Sequence, residues 1–209
     1  MYRYRIPSIS AASAALTASL LLVAPVGANA ANLALSANGG VASQSSTLDF
    51  TIPGTASKAI DGNVSGDYFA GSVTATNADL GAWWQVDLAG IGSISDVVVF
   101  NRTDCCGDRL SPFNLELLLG ANIVQSFSSQ TFAADISGTN VAGMTFEIGG
   151  TVADAVRIQL GGTNWLSLAE VQVNGTQLPP MHTPLPAAVW LMGSALAGLG
   201  AIARRRRQT

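Results

Sequence analysis

The stretch AWWQVDL, residues 82–88, shows the pattern that decides the fold class. Trp84, Val86 and Leu88 alternate with a glutamine and an aspartate. Successive side chains of a β-strand point to opposite faces, so an apolar period of two indicates a strand with one buried face. An amphipathic helix would repeat its apolar positions every three to four residues. The stretch therefore predicts a half-buried β-strand.

Five further segments of the central chain are rich in β-branched and aromatic residues and are bounded by Gly, Asn or Asp. These segments are ISDVVVFN (94–101), FNLELLLG (113–120), GMTFEIG (143–149), DAVRIQLG (154–161) and AEVQVNG (169–175). No sustained helical stripe lies between the two ends of the chain. Several short strands at such spacing predict an all-β fold, either a β-sandwich or a barrel.

The N-terminal 30 residues have the features of an export signal. Arg3 and Arg5 precede an apolar run over 11–23, and Ala28-Asn29-Ala30 forms a small-x-small cleavage site. This order predicts a secretory signal peptide over 1–30. The alternative is an N-terminal membrane anchor, although the apolar run is shorter than the ~20 residues that a spanning helix needs.

The C-terminal end combines a Pro-rich linker over 179–184 with an apolar run over 185–203 and four arginines, Arg204 to Arg207. The run is long enough to cross ~30 Å of hydrocarbon. Because basic residues stay on the cytoplasmic side, the preceding domain is expected outside the cytoplasm. The sequence thus predicts a transmembrane sorting helix with an arginine tail over 185–209.

This tail resembles the PEP-CTERM type of bacterial sorting signal in its PLPA form, here Pro184-Leu185-Pro186-Ala187. The resemblance covers residues 183–207 and implies cleavage by an exosortase-type processing enzyme. It also implies delivery to the cell surface or extracellular matrix of a Gram-negative-type bacterium, with at least transient membrane anchoring by the C-terminal helix. A permanent C-terminal anchor is the alternative, and whether the helix is cleaved stays open.

The segment 31–178 is long enough for one domain, and it is acidic. It contains all 13 acidic residues but only four of the ten basic ones, which gives a net charge of −9. Such a charge excludes an electrostatic surface for nucleic acid and suits a bound cation. The only histidine, His182, lies outside this segment, so histidine-activated nucleophiles and histidine metal sites are excluded.

The segment NRTDCCGDRL, residues 101–110, holds the only two cysteines, Cys105 and Cys106, between Arg102 and Arg109. Cysteines of an exported chain are usually oxidised. A disulfide between neighbours closes no loop and adds little stability, but it offers a rigid apolar sulfur face. With an arginine on each side, such a face suits the C–H surface and hydroxyl groups of a sugar. Two free thiols, or a disulfide between chains, remain alternatives.

A second cluster of interest is KAIDGNVSGDYFAGS, residues 58–72. Asp, Gly and Asn in succession form tight turns that gather carboxylate, amide and carbonyl oxygens. Calcium prefers six to eight oxygen ligands of this kind. Taken alone, the IDGN stretch is more often a plain turn than a metal site.

Residues 32–175 resemble the fucolectins, within the discoidin (coagulation-factor C-terminal, galactose-binding-like) superfamily. The stretches that carry the resemblance are NLALS, ASKAIDGNVSGDYFAGS, WWQVDL, NRTDCCGDRL and LSLAEVQVNG, in the order of the family. The resemblance implies a jelly-roll-like β-sandwich. It also implies a Ca²⁺ ion that joins the two ends of the domain. The implied side-chain ligands are Asp61, Asn63, Ser72 and Glu170, and the implied backbone-carbonyl ligands are Lys58 and Ala169.

The resemblance further implies that Arg102 and Arg109 bind a sugar, and that Cys105 and Cys106 form a vicinal disulfide that packs against fucose. One position departs from the family. The histidine that fucolectins also use for the sugar corresponds to Ala75 in GSVTATNADL. The sequence therefore leaves open which sugar binds at a site lined by these five residues.

Together these features predict an exported, Ca²⁺-dependent, fucose-type lectin domain that is displayed at the cell surface or in the extracellular matrix. Its expected partner is a saccharide on glycans or exopolysaccharide. The alternative is a structural or adhesion protein of the matrix that keeps the fold and calcium but binds no free sugar. An enzyme is not expected, because no acidic residue lies in a recognisable catalytic motif such as that of a glycoside hydrolase. The oligomeric state is left open.

Overall fold

The computed structural model describes residues 30–132 and 143–180, and this part of the chain is built from β-strands and short 3₁₀ helices. The strands are β1 (Ala31–Asn32), β2 (Val41–Gln44), β3 (Thr74–Leu80), β4 (Trp83–Asn101), β5 (Phe113–Leu119), β6 (Asn122–Gln130), β7 (Met144–Leu160) and β8 (Thr163–Gln177). The 3₁₀ helices are Ser36–Asn38, Ala56–Ile60 and Gly107–Arg109. The predicted all-β fold is confirmed.

The eight strands form one antiparallel sheet in the order β1-β8-β4-β7-β5-β6, with β2 paired to β4 and β3 paired to β8. Hydrogen bonds thus connect all eight strands. The length of three strands makes this connection possible. β4, β7 and β8 are 19, 17 and 15 residues long, and they continue through regions where shorter strands would end.

Irregular pairing lets these long strands change direction. The predicted strands 82–88 and 94–101 are two halves of β4, and the register with β7 shifts between Asp87 and Gly92. The register shifts again between Ile94 and Asp96. Such bulges bend a strand and increase its twist, so one strand can serve both layers that surround a core.

Most apolar side chains gather in one core around Trp84, which is fully buried and donates its indole N–H to the carbonyl of Ala56 at 3.0 Å. A smaller second cluster contains Tyr68, Val73, Ala75 and Ala169. This second cluster joins the loop before β3 to the middle of β8. Two of the predicted site residues, Ala75 and Ala169, belong to it.

The predicted terminal segments are not part of this description. The signal peptide over 1–30, apart from Ala30, and the sorting helix over 185–209 lie outside the described residues, as does most of the 179–184 linker. Within 30–132 and 143–180, no helix is both long enough and apolar enough to cross a membrane.

Candidate ligand-binding surface and metal site

The segment that carries the cysteines connects β4 to β5 and lies against the loop before β3. Gly66 accepts backbone hydrogen bonds from Thr103 at 2.9 Å and from Asp104 at 3.4 Å. A Cβ atom at Gly66 would lie 2.5 Å from the Thr103 hydroxyl oxygen and 2.6 Å from its backbone nitrogen. Only glycine permits this approach. The predicted metal loop and the predicted sugar-binding segment are therefore in direct contact.

Arg102 is 6% exposed and is held in place from two sides. Its Nε and Nη2 atoms donate to the two carboxylate oxygens of Asp104 at 2.6 and 2.8 Å. Its guanidinium carbon lies 4.6 Å from the centroid of the Tyr68 ring. Burial acts to raise the pKa of Asp104, but the hydrogen bonds and charge of Arg102 outweigh it and leave the pKa below its ordinary value. The pair is rigid and internally neutral.

Arg109 ends the 3₁₀ helix Gly107–Arg109, and its guanidinium carbon lies 4.6 Å from the centroid of the Trp165 ring. Within the described part of the chain, the one salt bridge joins Arg102 to Asp104. Arg109 thus keeps an uncompensated charge that the face of an indole stabilises. Sequence reasoning had not assigned Trp165 to the site. The two arginines differ in their surroundings, since one is neutralised and the other is not.

The sulfur atoms of Cys105 and Cys106 are bonded to each other, and both residues are half-buried. Cys106 adopts a left-handed backbone conformation with φ of 60°, and its carbonyl accepts a hydrogen bond from the backbone of Arg109 at 3.1 Å. The disulfide thus leads directly into the short helix that ends at Arg109. We call the segment 102–109, with the faces of Tyr68 and Trp165, the binding segment.

Ala75 is fully buried in the second cluster and pairs with Ser167 of β8. Its backbone N–H donates to Gly54 at 3.0 Å, and its carbonyl accepts from Leu48 at 2.8 Å. The methyl group therefore packs inside the protein and offers no surface to a ligand. This finding corrects the expectation that Ala75 lines the ligand site.

The predicted metal ligand with the most unusual environment is Glu170, which is completely buried. Its Oε1 atom accepts a hydrogen bond from the backbone of Gly62 at 3.2 Å. Its Oε2 atom is buried and has no hydrogen-bond partner within the described residues. Burial and the nearby carboxylate of Asp61 raise the pKa of Glu170 to about 7. A buried carboxylate oxygen without a donor is costly, and a cation would satisfy it.

The remaining predicted ligands lie in or near the 58–72 loop, whose residues are hydrogen-bonded to one another. Asp61 accepts from the backbone of Asn63 at 2.8 Å, and Asn63 accepts from the backbone of Ser65 at 3.1 Å. The hydroxyl of Ser72 donates to the carbonyls of Ser65 and Asp67 at 2.5 and 2.9 Å. These contacts shape the loop around Asp61. The structure thus brings Asp61 and Glu170 together from opposite ends of the domain.

Lys58 and Ala169, the two predicted carbonyl ligands, flank this pair in sequence. Burial lowers the pKa of the Lys58 amine, partly offset by Asp61, and its Nζ atom has no hydrogen-bond partner among the described residues. Ala169 is buried beside Glu170. No group of three or more His, Cys, Asp or Glu side chains gathers in 30–132 and 143–180. An ion here would need carbonyl and hydroxyl oxygens as well as the two carboxylates, which is a donor set that fits calcium.

The raised pKa of Glu170 predicts how the metal-free protein responds to pH. Between pH 4.5, its ordinary value, and about 7, Glu170 is protonated when folded and ionised when unfolded. Stability is therefore expected to fall by about 3 kcal/mol as the pH rises through this window. Urea unfolding in EDTA at several pH values measures this slope. The variant Glu170→Gln should remove it, and an unchanged slope in that variant would contradict the assignment.

Comparison with known proteins places this arrangement in a family. The family described as NedA-like, galactose-binding domain matches residues 58–158. The structure of the lectin domain of Lectinolysin, complexed with Lewis B antigen, superimposes with a TM-score of 0.61 at 34% identity. This match covers 71% of the present chain and 98% of the other. The chain belongs to the F5/F8 type C, galactose-binding-like family. The predicted membership of the discoidin superfamily is thus confirmed.

Two further relatives of this F5/F8 type C domain support the assignment. A Streptococcus pneumoniae fucose binding module, SpX-3, superimposes with a TM-score of 0.60 at 32% identity, over 68% of this chain and 96% of that one. Fucolectin of Anguilla anguilla is 36% identical over 89 residues, or 42% of this chain. The present chain spans 55% of the length of that fucolectin. The predicted PEP-CTERM resemblance stays a prediction, because it concerns residues outside the described part.

Proposed function

We propose that this F5/F8 type C domain is a lectin that binds L-fucose or a related sugar on the binding segment. The observation that carries the proposal is the placement of Arg102 and Arg109. Each guanidinium lies 4.6 Å from an aromatic ring, and the Cys105–Cys106 disulfide separates the two arginines in the chain. The names of the relatives, fucolectins and a fucose binding module, support the same ligand class.

The binding chemistry follows from the donors that each arginine has left. A guanidinium has five N–H donors. Asp104 occupies two of those on Arg102, which leaves three for a ligand and fixes their direction. Arg109 has no carboxylate partner within the described residues, so no carboxylate occupies its N–H donors. Sugar hydroxyl and ring oxygens would accept these hydrogen bonds, while the apolar C–H face of the sugar packs on the disulfide.

We further propose that the site at Asp61 and Glu170 holds a structural Ca²⁺ ion, with Asn63, Ser72 and the carbonyls of Lys58 and Ala169 completing the donor set. The Oε2 atom of Glu170, which is buried and has no hydrogen-bond partner among residues 30–132 and 143–180, supports this assignment. Bound calcium would supply the positive charge that two neighbouring carboxylates require. Because the loop carrying Asp61 also bonds to Thr103 through Gly66, a loose metal loop would disturb the binding segment.

The proposed lectin is exported and acts without catalysis, at the cell surface or in the extracellular matrix. A single shallow sugar site binds weakly, so useful attachment would come from many copies displayed together. Surface display through the C-terminal segment would provide this multivalency. The arginine tail and the PLPA motif support export of the domain and processing by an exosortase-type enzyme.

A structural or adhesion role without free-sugar binding is the second candidate. The observation that favours it is Ala75, where the chain lacks the imidazole that fucolectins use and presents only a buried methyl group. This candidate keeps the fold and the calcium site. It differs in predicting that the folded protein recognises no saccharide.

A glycan array probed with the full-length protein separates these roles. In calcium, the lectin proposal predicts binding to fucosylated glycans that decreases strongly with EDTA or with a reductant. Binding to another sugar class alone would overturn the fucose assignment but keep the lectin. An array without binding, from protein shown by circular dichroism to be folded, would overturn the lectin and favour the structural role.

A further inference from the structure

Arg109 also borders a cavity on the side of the β7–β8 turn. The cavity has a volume of about 200 Å³ and is lined mainly by Arg109, Pro112, Leu160, Gly162, Thr163 and Asn164. It is smaller than the ~300–1,000 Å³ pockets that hold drug-sized ligands. Its size therefore suits a single small ring. Pro112 and Thr163 are exposed, so the cavity is accessible at its rim.

Backbone hydrogen bonds of the protein hold the walls of this cavity in place. Gly161 donates to the carbonyl of Pro112 at 3.0 Å, and Gly81 donates to the carbonyl of Gly162 at 2.9 Å. The Ser111 hydroxyl, in the same wall, donates to Leu110 at 2.7 Å and accepts from the backbone of Phe132 at 3.0 Å. A ligand would thus enter a preformed site at little ordering cost.

The polar groups of the cavity are of the kind that sugars use. The Thr163 hydroxyl and the Nδ2 atom of Asn164 have no hydrogen-bond partner among the described residues, while Oδ1 of Asn164 accepts from the backbone of Trp165 at 3.0 Å. Trp165 in turn stabilises the guanidinium of Arg109 at the cavity edge. Pro112 and Leu160 add an apolar patch. Hydroxyl and amide groups beside an apolar patch match the mixed surface of a pyranose ring.

We infer that this cavity is a second saccharide subsite, which binds the sugar residue linked to the one held on the binding segment. The inference rests on the proposed lectin function, because Arg109 is shared by both positions. The subsite would make the protein selective for an oligosaccharide over its terminal monosaccharide. It would also provide contacts that discriminate between sugars, which the buried Ala75 side chain does not provide.

Two substitutions test the subsite without touching the proposed primary site. The backbone of Gly162 is not in the left-handed region, and a Cβ atom there would meet no atom of the described residues within 4 Å. Gly162→Leu therefore fills open space without backbone strain. Thr163→Val removes one hydroxyl at nearly constant volume. Thr145→Val, at an exposed position of β7, is the matched control.

The experiment is calorimetric titration of the full-length protein and these variants with L-fucose and with the Lewis b oligosaccharide. We expect the parent to bind Lewis b about ten-fold more tightly than L-fucose. Gly162→Leu should abolish most of this preference and leave L-fucose binding unchanged, and Thr163→Val should reduce it by about three-fold. Thr145→Val should preserve both affinities.

Each other outcome overturns a stated claim. Equal affinity for the two ligands in the parent, or an unchanged preference in both subsite variants, would overturn the subsite and leave the lectin proposal intact. A parent that binds neither ligand would overturn both. If thermal unfolding shows that Gly162→Leu is misfolded, Thr163→Val decides alone, and its retention of the full preference would overturn the subsite.

Discussion

Replacing Arg109 with alanine is expected to weaken binding of L-fucose by about 100-fold while the protein stays folded. Arg109 carries the one guanidinium of the binding segment that no carboxylate neutralises in the described structure. Its removal takes away several charge-assisted donors and leaves no buried partner unpaired. Arg102 is a poorer test, because its loss would leave the carboxylate of Asp104 without its partner. Calorimetric titration of Arg109→Ala against the parent measures the effect.

Two further variants test whether the loss of affinity depends on the geometry of the Arg109 side chain or only on its charge. Arg109→Lys keeps the charge but lacks the planar fork, so we expect it to recover only a small part of the lost affinity. Arg157→Ala is the matched control, since the Arg157 guanidinium is bonded to Gln85 on the sheet and lies outside the binding segment. Equal losses in Arg109→Ala and Arg157→Ala would indicate a general charge effect. Full binding by Arg109→Ala would contradict the proposed site.

Adding calcium to the chelated protein is expected to raise its free energy of unfolding by about 3 kcal/mol when free calcium is 100 times the dissociation constant. For a domain of this size, that corresponds to a rise in melting temperature of roughly 6–12 °C. The reason is the environment of Glu170, whose buried carboxylate lies near Asp61 and whose Oε2 atom has no partner in the described part of the chain. At a fixed concentration of free calcium, the gain should be larger at pH 8 than at pH 5.5, because the ion must displace the proton that Glu170 binds when folded.

Glu170→Gln provides the decisive variant for this second prediction. The amide keeps the size of the side chain but removes its charge, so the calcium-dependent gain should largely disappear. Glu147→Gln, at an exposed position of β7, should respond to calcium as the parent does. A melting temperature that is insensitive to calcium in the parent would contradict the metal site, while sugar binding in EDTA would then be compatible with a metal-independent lectin.

The sequence allowed the core strands to be predicted because their apolar residues alternate and are buried. β3 (TATNADL) and β6 (NIVQSFSSQ) were not predicted. Their side chains are mostly small or polar, and β6 lies at the edge of the sheet, where one side of the strand pairs with no other strand of residues 30–132 and 143–180. These strands form because β3 pairs with β8 and β6 pairs with β5. Such pairing leaves no recognisable pattern in the sequence of the strand itself.

The site residues that carry charge or sulfur were recognisable from motifs, but their surroundings were not. Arg102 and Arg109 were identified from the segment around the cysteines, whereas Tyr68 and Trp165 are brought to them by the fold. The burial of Ala75 could not be predicted from the sequence either. An alignment shows which position of the family a residue matches, but it does not show whether its side chain faces the interior or the ligand. Partners across the fold are set by packing between distant segments.

The measurement that tests the central claim most directly is a crystal structure of the full-length protein with bound L-fucose. We expect the sugar ring to lie against the Cys105–Cys106 disulfide, with hydrogen bonds from both Arg102 and Arg109. A sugar bound elsewhere, for example on the sheet surface beside Trp83 and Arg157, would contradict the account even if binding in solution is strong.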